Sequence, residues 1–214
     1  MKHSSHIAPA IQLVRRNRSQ PALSVRRCLF ALVLCVLPLG AGLLAFPSTL
    51  HAQAAEASEE KVKAVYLYKF LNYVEWPASV FAGPAAPYRI GVIGDDLVAN
   101  ELEAVIAGKA VNDRPITSRR LGYGESLADI DMVYIGRGER ARQTALLRHL
   151  RMQPVLTVTE TETDSALDHK SIVNFRKVDS RIRFEVSVDA AEQAGLKLSA
   201  RLLGVAINVV KGSR

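Results

Sequence analysis

Only two cysteines occur in the 214 residues, Cys28 and Cys35, and both precede residue 55. A domain made from the remainder can form no disulfide and offers no thiolate to a metal or a substrate. Histidine is nearly as scarce: past residue 54 only His149 and His169 remain, and the acidic residues match no calcium-loop spacing, so no metal site is expected. No G-x-S-x-G elbow occurs, and Ser126 and Ser165 lack a paired base, which removes the usual signatures of nucleophilic catalysis. Acidic side chains are absent from residues 1–54, which hold six of the 28 basic ones. The remainder carries 22 basic against 21 acidic side chains, a net +1. The basic excess that would point to a nucleic-acid partner therefore lies almost wholly in the first segment, and no such partner is expected.

What that segment does have is a run of eighteen apolar or small residues, Leu29 to Phe46, preceded by Lys2, Arg15, Arg16, Arg18, Arg26 and Arg27. Ala52-Gln53-Ala54 follows, with small residues at both cleavage-site positions. The pattern is that of a secretory signal peptide spanning residues 1–54. An uncleaved anchor is the competing reading, but Pro38, Gly40 and Gly42 interrupt the run, which only just reaches spanning length. Arg26-Arg27 hints at twin-arginine export, ranked second because Val25 sits where a polar residue is usual. Val33 and Leu34 before Cys35 do not suit a lipoprotein signal. Residues 55–214 are then one exported domain, with no linker, repeat or low-complexity run.

Along that domain, Ser58 can cap a helix whose Val62, Val65, Tyr66, Phe70 and Val74 make an apolar face, ending at Trp76-Pro77. Arg89 to Ile93 reads as a strand, and Asp95 or Asp96 caps a helix to about Ile106 that Gly108 ends. Pro115 to Leu121 is a half-exposed strand, Met132 to Ile135 a buried one, Glu139 to Leu150 a helix, and Val155 to Val158 a buried strand. Strands alternating with helices predict an α/β fold with a mostly parallel twisted sheet flanked by helices. Ser171 to Phe175 and Arg181 to Val186, joined by Arg176 to Ser180, predict an antiparallel C-terminal hairpin. On its second strand, Ile182, Phe184 and Val186 face one way, and Arg181, Arg183 and Glu185 the other. Asp189 is expected to cap a short helix ending at Gly195, and Ser199 a last one holding Leu202, Leu203, Ala206, Ile207 and Val210.

Gly136-Arg137-Gly138-Glu139-Arg140-Ala141 is a G-x-G-x-x-A between a predicted strand and helix, with Glu160 after the next strand, as in dinucleotide-binding folds. It stands third in the sheet order rather than first, and Glu139 would face the pyrophosphate, so a strand-to-helix turn is the simpler reading. Gly91 to Asp96 is weaker still, because two carboxylates would occupy the anion site at the helix start. Trp76 is either a core anchor or, with Tyr66, Tyr73 and Phe81, the lining of an aromatic recess. Arg183 and Glu185 either pair across the sheet or present a fork and a carboxylate to a ligand. Tyr73, Trp76, Arg183 and Glu185 are thus the candidate ligand- or partner-binding residues; no catalytic residue and no cofactor is expected.

Several stretches share an order and spacing with a known family. They are Tyr66 to Phe70 leading into Tyr73-Val74-Glu75-Trp76-Pro77, Arg89 to Gly94, Pro154 to Val158, and above all Arg181-Ile182-Arg183-Phe184-Glu185-Val186, followed by Asp189-Ala190-Ala191, Gly195 to Ser199 and Leu202-Leu203. Over nearly all of residues 60 to 210 the chain resembles the YfiR family of exported bacterial proteins. It differs at Asp168 to Ser171, where the family often has a glycine-rich turn, at Ser187, where asparagine is frequent, and in lacking the cysteines that brace some members. The resemblance implies a non-enzymatic periplasmic regulator. Its partner would be an inner-membrane signalling protein with a periplasmic domain, a diguanylate cyclase held in check, with cyclic di-GMP as a cytoplasmic output. The alternatives are a periplasmic small-molecule binding module feeding a sensor kinase and, third, a nucleotide-using enzyme built on Gly136 to Ala141. A homodimer is left open.

Overall fold

A computed structural model of the chain describes residues 57–137, 140–161 and 171–211. The segment read as a leader, residues 1–54, lies outside these, as do Gly138, Glu139, Ser165 and His169. Ten strands and five α-helices are described: α1 Glu59–Phe70, β1 Val74–Glu75, β2 Tyr88–Ile93, α2 Asp96–Ile106, β3 Ala110–Val111, β4 Arg114–Leu121, β5 Met132–Ile135, α3 Arg140–Leu150, β6 Leu156–Glu160, β7 Val173–Val178, β8 Arg181–Ser187, α4 Val188–Gln193, β9 Lys197–Leu198, α5 Ala200–Val205 and β10 Asn208–Val210. Eight strands form one sheet in the order β10-β8-β7-β6-β5-β2-β4-β3, and β1 pairs with β9 separately. From β4 through β2, β5 and β6 to β7 every neighbour is parallel, while β3–β4 and β7–β8 are antiparallel hairpins. This is the mostly parallel α/β sheet with a late hairpin that the alternation of patterns predicts.

Each face of the sheet is covered by its own cluster. Met132, Tyr134, Leu156, Val158, Phe175 and Phe184 pack with Leu67 and Phe70 of α1 and Leu102 of α2. Val133 and Ile135, alternating with them, pack with Leu147 and Leu150 of α3. Asp95 caps α2, its Oδ1 accepting from Val98 N at 3.0 Å, and Gly108 follows the helix with φ +66°.

Four boundaries differ from the sequence reading. Helix α1 stops at Phe70, and Val74 lies in β1 opposite Leu198, because Tyr73 N turns back to Phe70 O and Ser199 N takes Tyr73 O. The loop at Arg176 to Ser180 contracts to Asp179 and Ser180, both left-handed at φ +47° and +60°, which lets β7 and β8 pair out to Val178 and Arg181. Ser187, not Asp189, caps α4, its Oγ accepting from Ala190 N. The last helix ends at Val205, and Asn208–Val210 becomes a strand along β8, started by Ile207 N donating to Phe184 O. There the β-branched Ile207, Val209 and Val210 follow strand preference, and the edge of β8 supplies their backbone partners.

The two tight hairpin turns, Asn112-Asp113 and Asp179-Ser180, both hold non-glycine residues at positive φ. Ser180→Val should therefore cost about 1–2 kcal/mol, and Asp113→Gly, which creates Asn-Gly, should gain about 0.5 kcal/mol; both are checked by urea unfolding.

Candidate functional site

The carboxylate of Glu160, the last residue of β6, is the centre of a buried polar cluster at the carboxyl end of the parallel strands. Lys63 of α1 approaches its Oε2 at 2.8 Å, with side-chain exposures of 6% and 4% for the two partners. Tyr134 OH, from β5, donates to the same oxygen at 2.9 Å, and the Arg137 guanidinium engages Oε1 through Nε at 3.0 Å and Nη2 at 2.9 Å. Tyr134 OH also reaches Asp95 Oδ2 at 3.3 Å. Burial, followed by the charges of Glu160 and Asp95, pushes the Tyr134 phenol well above the ordinary tyrosine range. A carboxylate engaged by a bidentate arginine, an ammonium and a phenol has little acceptor capacity left for a substrate, so the arrangement fastens elements together.

Gly136 follows β5 at the point where β2 and β5 end side by side. A Cβ there would lie 2.8 Å from Asp95 Cβ and 2.9 Å from Gly94 O, so close strand packing accounts for this glycine. Crevices at such points, where strand order reverses, are common ligand sites. Here Asp95 occupies the place, capping α2 and lying 3.3 Å from the Tyr134 hydroxyl. Of the G-x-G-x-x-A, Gly138 and Glu139 lie outside the described residues.

The four candidate residues separate. Trp76 is a core anchor: its Nε1 donates to Asp131 O at 3.0 Å, and its ring lies 5.3 Å from that of Tyr88. Asp131 is itself fixed by Arg89, through the backbone N at 2.8 Å and the guanidinium at 3.1 and 3.2 Å. Arg183 and Glu185 share a strand face as alternation predicts, but Glu185 is buried, facing Asn174 Nδ2 at 3.5 Å, while Arg183 is exposed. Asn174 also accepts from Thr159 at 3.0 Å and Thr161 at 3.2 Å. Glu185 thus belongs to a polar network inside the sheet, and it does not form a fork with Arg183.

Tyr73 and Arg183 meet elsewhere, on an apolar cleft of about 670 Å³ between α1, α5 and the edge of β8. Val62, Val65 and Tyr66 form one wall, Leu202 and Val205 the other, and Phe70 and Phe184 lie between. The rings of Tyr66, Phe70 and Phe184 stand 5.1–5.9 Å apart, two of the three pairs edge to face. Val65 is 38% and Val205 67% exposed. Strand β10 pairs with β8 over Glu185 to Ser187 and Ile207 N takes Phe184 O, so the edge at Arg181 to Arg183 extends past it. The apolar face expected of Val62, Val65 and Tyr66 is only partly covered, Val62 and Tyr66 packing against the core and Val65 exposed, whereas the fully buried side of α1 holds Lys63, Ala64, Leu67 and Phe70. A lysine amid those residues, together with a glutamate closing an apolar strand, was the overlooked signal for the buried pair.

Removing one member of that pair should be costly. Lys63→Met leaves Glu160 short of a cation and should destabilise by about 3–5 kcal/mol, whereas Lys63→Met with Glu160→Leu should recover most of the loss in chemical unfolding. The fold raises the Tyr134 phenol, so the stability linked to its protonated form is complete below about pH 10 and lost as pH climbs above it. Tyr134→Phe should accordingly flatten the alkaline limb of a stability–pH curve.

Residues 60–207 match the family model described as YfiR/HmsC-like, well over half of the chain. No curated protein matches. That family comprises periplasmic regulators and is non-catalytic, and no described helix is long and apolar enough to cross a membrane. The motifs quoted from Tyr66 to Leu203 fall within the matched span, and this chain belongs to the YfiR/HmsC-like family.

Proposed function

We propose that residues 1–54 are removed on export and that the domain of residues 55–214 binds the periplasmic sensory region of an inner-membrane diguanylate cyclase, holding it in its inactive state. Family membership over residues 60–207 carries this reading. The open cleft between α1 and α5 supplies a contact surface of the right kind, apolar at its centre and polar at its rim. No catalysis is required of the regulator. A preference of about 1.4 kcal/mol for the inactive receptor shifts its population tenfold. Tyr73 and Arg183 belong to the contact surface, while Trp76 and Glu185 lie outside it.

A second reading rests on the size of the cleft, which falls within the range of small-molecule sites and is lined by Tyr66, Phe70 and Tyr73. A periplasmic ligand bound there would make the domain a sensing module feeding a kinase.

Deleting the gene should raise intracellular cyclic di-GMP, and an exported copy should restore it while a leaderless copy does not. An exported copy carrying Val65→Glu and Val205→Glu should fail to restore it, with the domain's unfolding midpoint nearly unchanged because both side chains are exposed. Unchanged cyclic di-GMP on deletion, under conditions where the protein is made, would favour the small-molecule reading.

A further inference from the structure

The rim of the cleft has one sign of charge. Lys61, Lys69 and Arg183 line it and no acidic residue does. Five other cations of the domain are matched by carboxylates: Lys63 and Arg137 by Glu160, Arg89 by Asp131 and Asp129, Arg120 by Glu103, Lys177 by Glu59. Lys61, Lys69 and Arg183 pair with no carboxylate among the described residues; Lys69 lies 5.5 Å from the centre of the Tyr68 ring. Two of these cations lie one helical turn on either side of Val65, at positions 61, 65 and 69 of α1, and the third is on the β8 edge. Three unmatched cations therefore surround an apolar floor made by Phe70 and Phe184.

We infer that this cleft takes a segment of the partner protein that presents apolar side chains flanked by carboxylates, with Lys61, Lys69 and Arg183 as the determinants of its charge. The inference rests on the regulator reading above and names the chemistry of the contact. Apolar burial holds the segment, and the rim cations reject a segment flanked by lysine or arginine, because like charges brought together at a partly desolvated rim repel. Strand β8 adds direction: past the end of β10, where Ile207 N takes Phe184 O, its edge is open to a main chain laid along Arg181 to Arg183.

The test uses the exported chain purified from the periplasmic fraction and two labelled peptides of eighteen residues. Both carry a Leu- and Phe-rich centre; one is flanked by glutamates and its twin by lysines. Fluorescence anisotropy should show the glutamate peptide binding at least tenfold tighter than its twin, with the margin shrinking as salt rises. Lys61→Glu with Lys69→Glu should reverse the preference, an outcome that a merely misfolded variant cannot give. Val205→Glu should weaken both peptides. Equal affinities, a preference unchanged in the double variant, or no saturable binding would each overturn the inference. So would sodium dodecanoate binding as tightly as the glutamate peptide, which assigns the cleft to a small amphiphile. A dimer in sedimentation that Val205→Glu dissociates assigns it to a second copy and likewise overturns it. Peptide preference without any effect of gene deletion on cyclic di-GMP would remove the cyclase and leave the chemistry of the cleft; the converse would remove this inference alone.

Discussion

The structure is organised around one buried carboxylate and the polar partners its burial demands. Glu160 ends a strand whose residues are all buried, and taking its charge out of water would be prohibitive without compensation. The compensation comes from three separate parts of the chain: Lys63 on the first helix, Tyr134 on the neighbouring strand, and Arg137 just beyond that strand. Each must arrive in register for the others to be tolerable. The cluster thereby fixes the rotation of α1 about its own axis, since a helix carrying a buried lysine cannot turn it outward without stranding the glutamate.

That fixed rotation decides what the rest of α1 presents. With Lys63, Leu67 and Phe70 committed to the sheet and α2, residues 61, 65 and 69 point away, and Val62 and Tyr66 fall between. Along the same edge, Ser199 N bonded to Tyr73 O and the Val74–Leu198 pair tie the end of α1 to the start of α5. The cleft is held open by these anchors at its buried side and foot. Its walls carry valine and tyrosine as a by-product of where the lysine is.

Much of the fold could be read from the residues, for identifiable reasons. Met132 to Ile135 is a continuous apolar run that only a doubly covered strand accommodates, and Asp95 and Gly108 mark the ends of α2 through caps that depend on local sequence alone. The failures occur where tertiary partners override local pattern. Ile207 and Val210 continue a helical spacing from Leu203, yet the unpaired edge of β8 captures them as a strand. Glu185 alternates with Phe184 as predicted, but its face of the sheet is covered too, so alternation gave the direction without the exposure. At the cleft, Tyr73 and Arg183 come from the aromatic and cationic candidates, while the stripe at Val62, Val65 and Tyr66 was legible as apolar but not as half-open, because spacing alone does not distinguish an apolar face that packs from one left exposed. The order of the paired elements, which brings residue 66 beside residue 184, has no local signal.

The walls of the cleft come from the two ends of the domain, α1 from the beginning and α5 with β8 from the end, separated by more than a hundred residues. Closing so long an interval is among the last steps that topology permits, because the contacts of greatest sequence separation form at the greatest entropic cost. A chain interrupted, truncated or trapped partway through folding has the helix or the edge but never the cleft between them. Possession of the cleft is therefore a certificate of completion: only a molecule that has brought α1 together with α5 and β8 presents it.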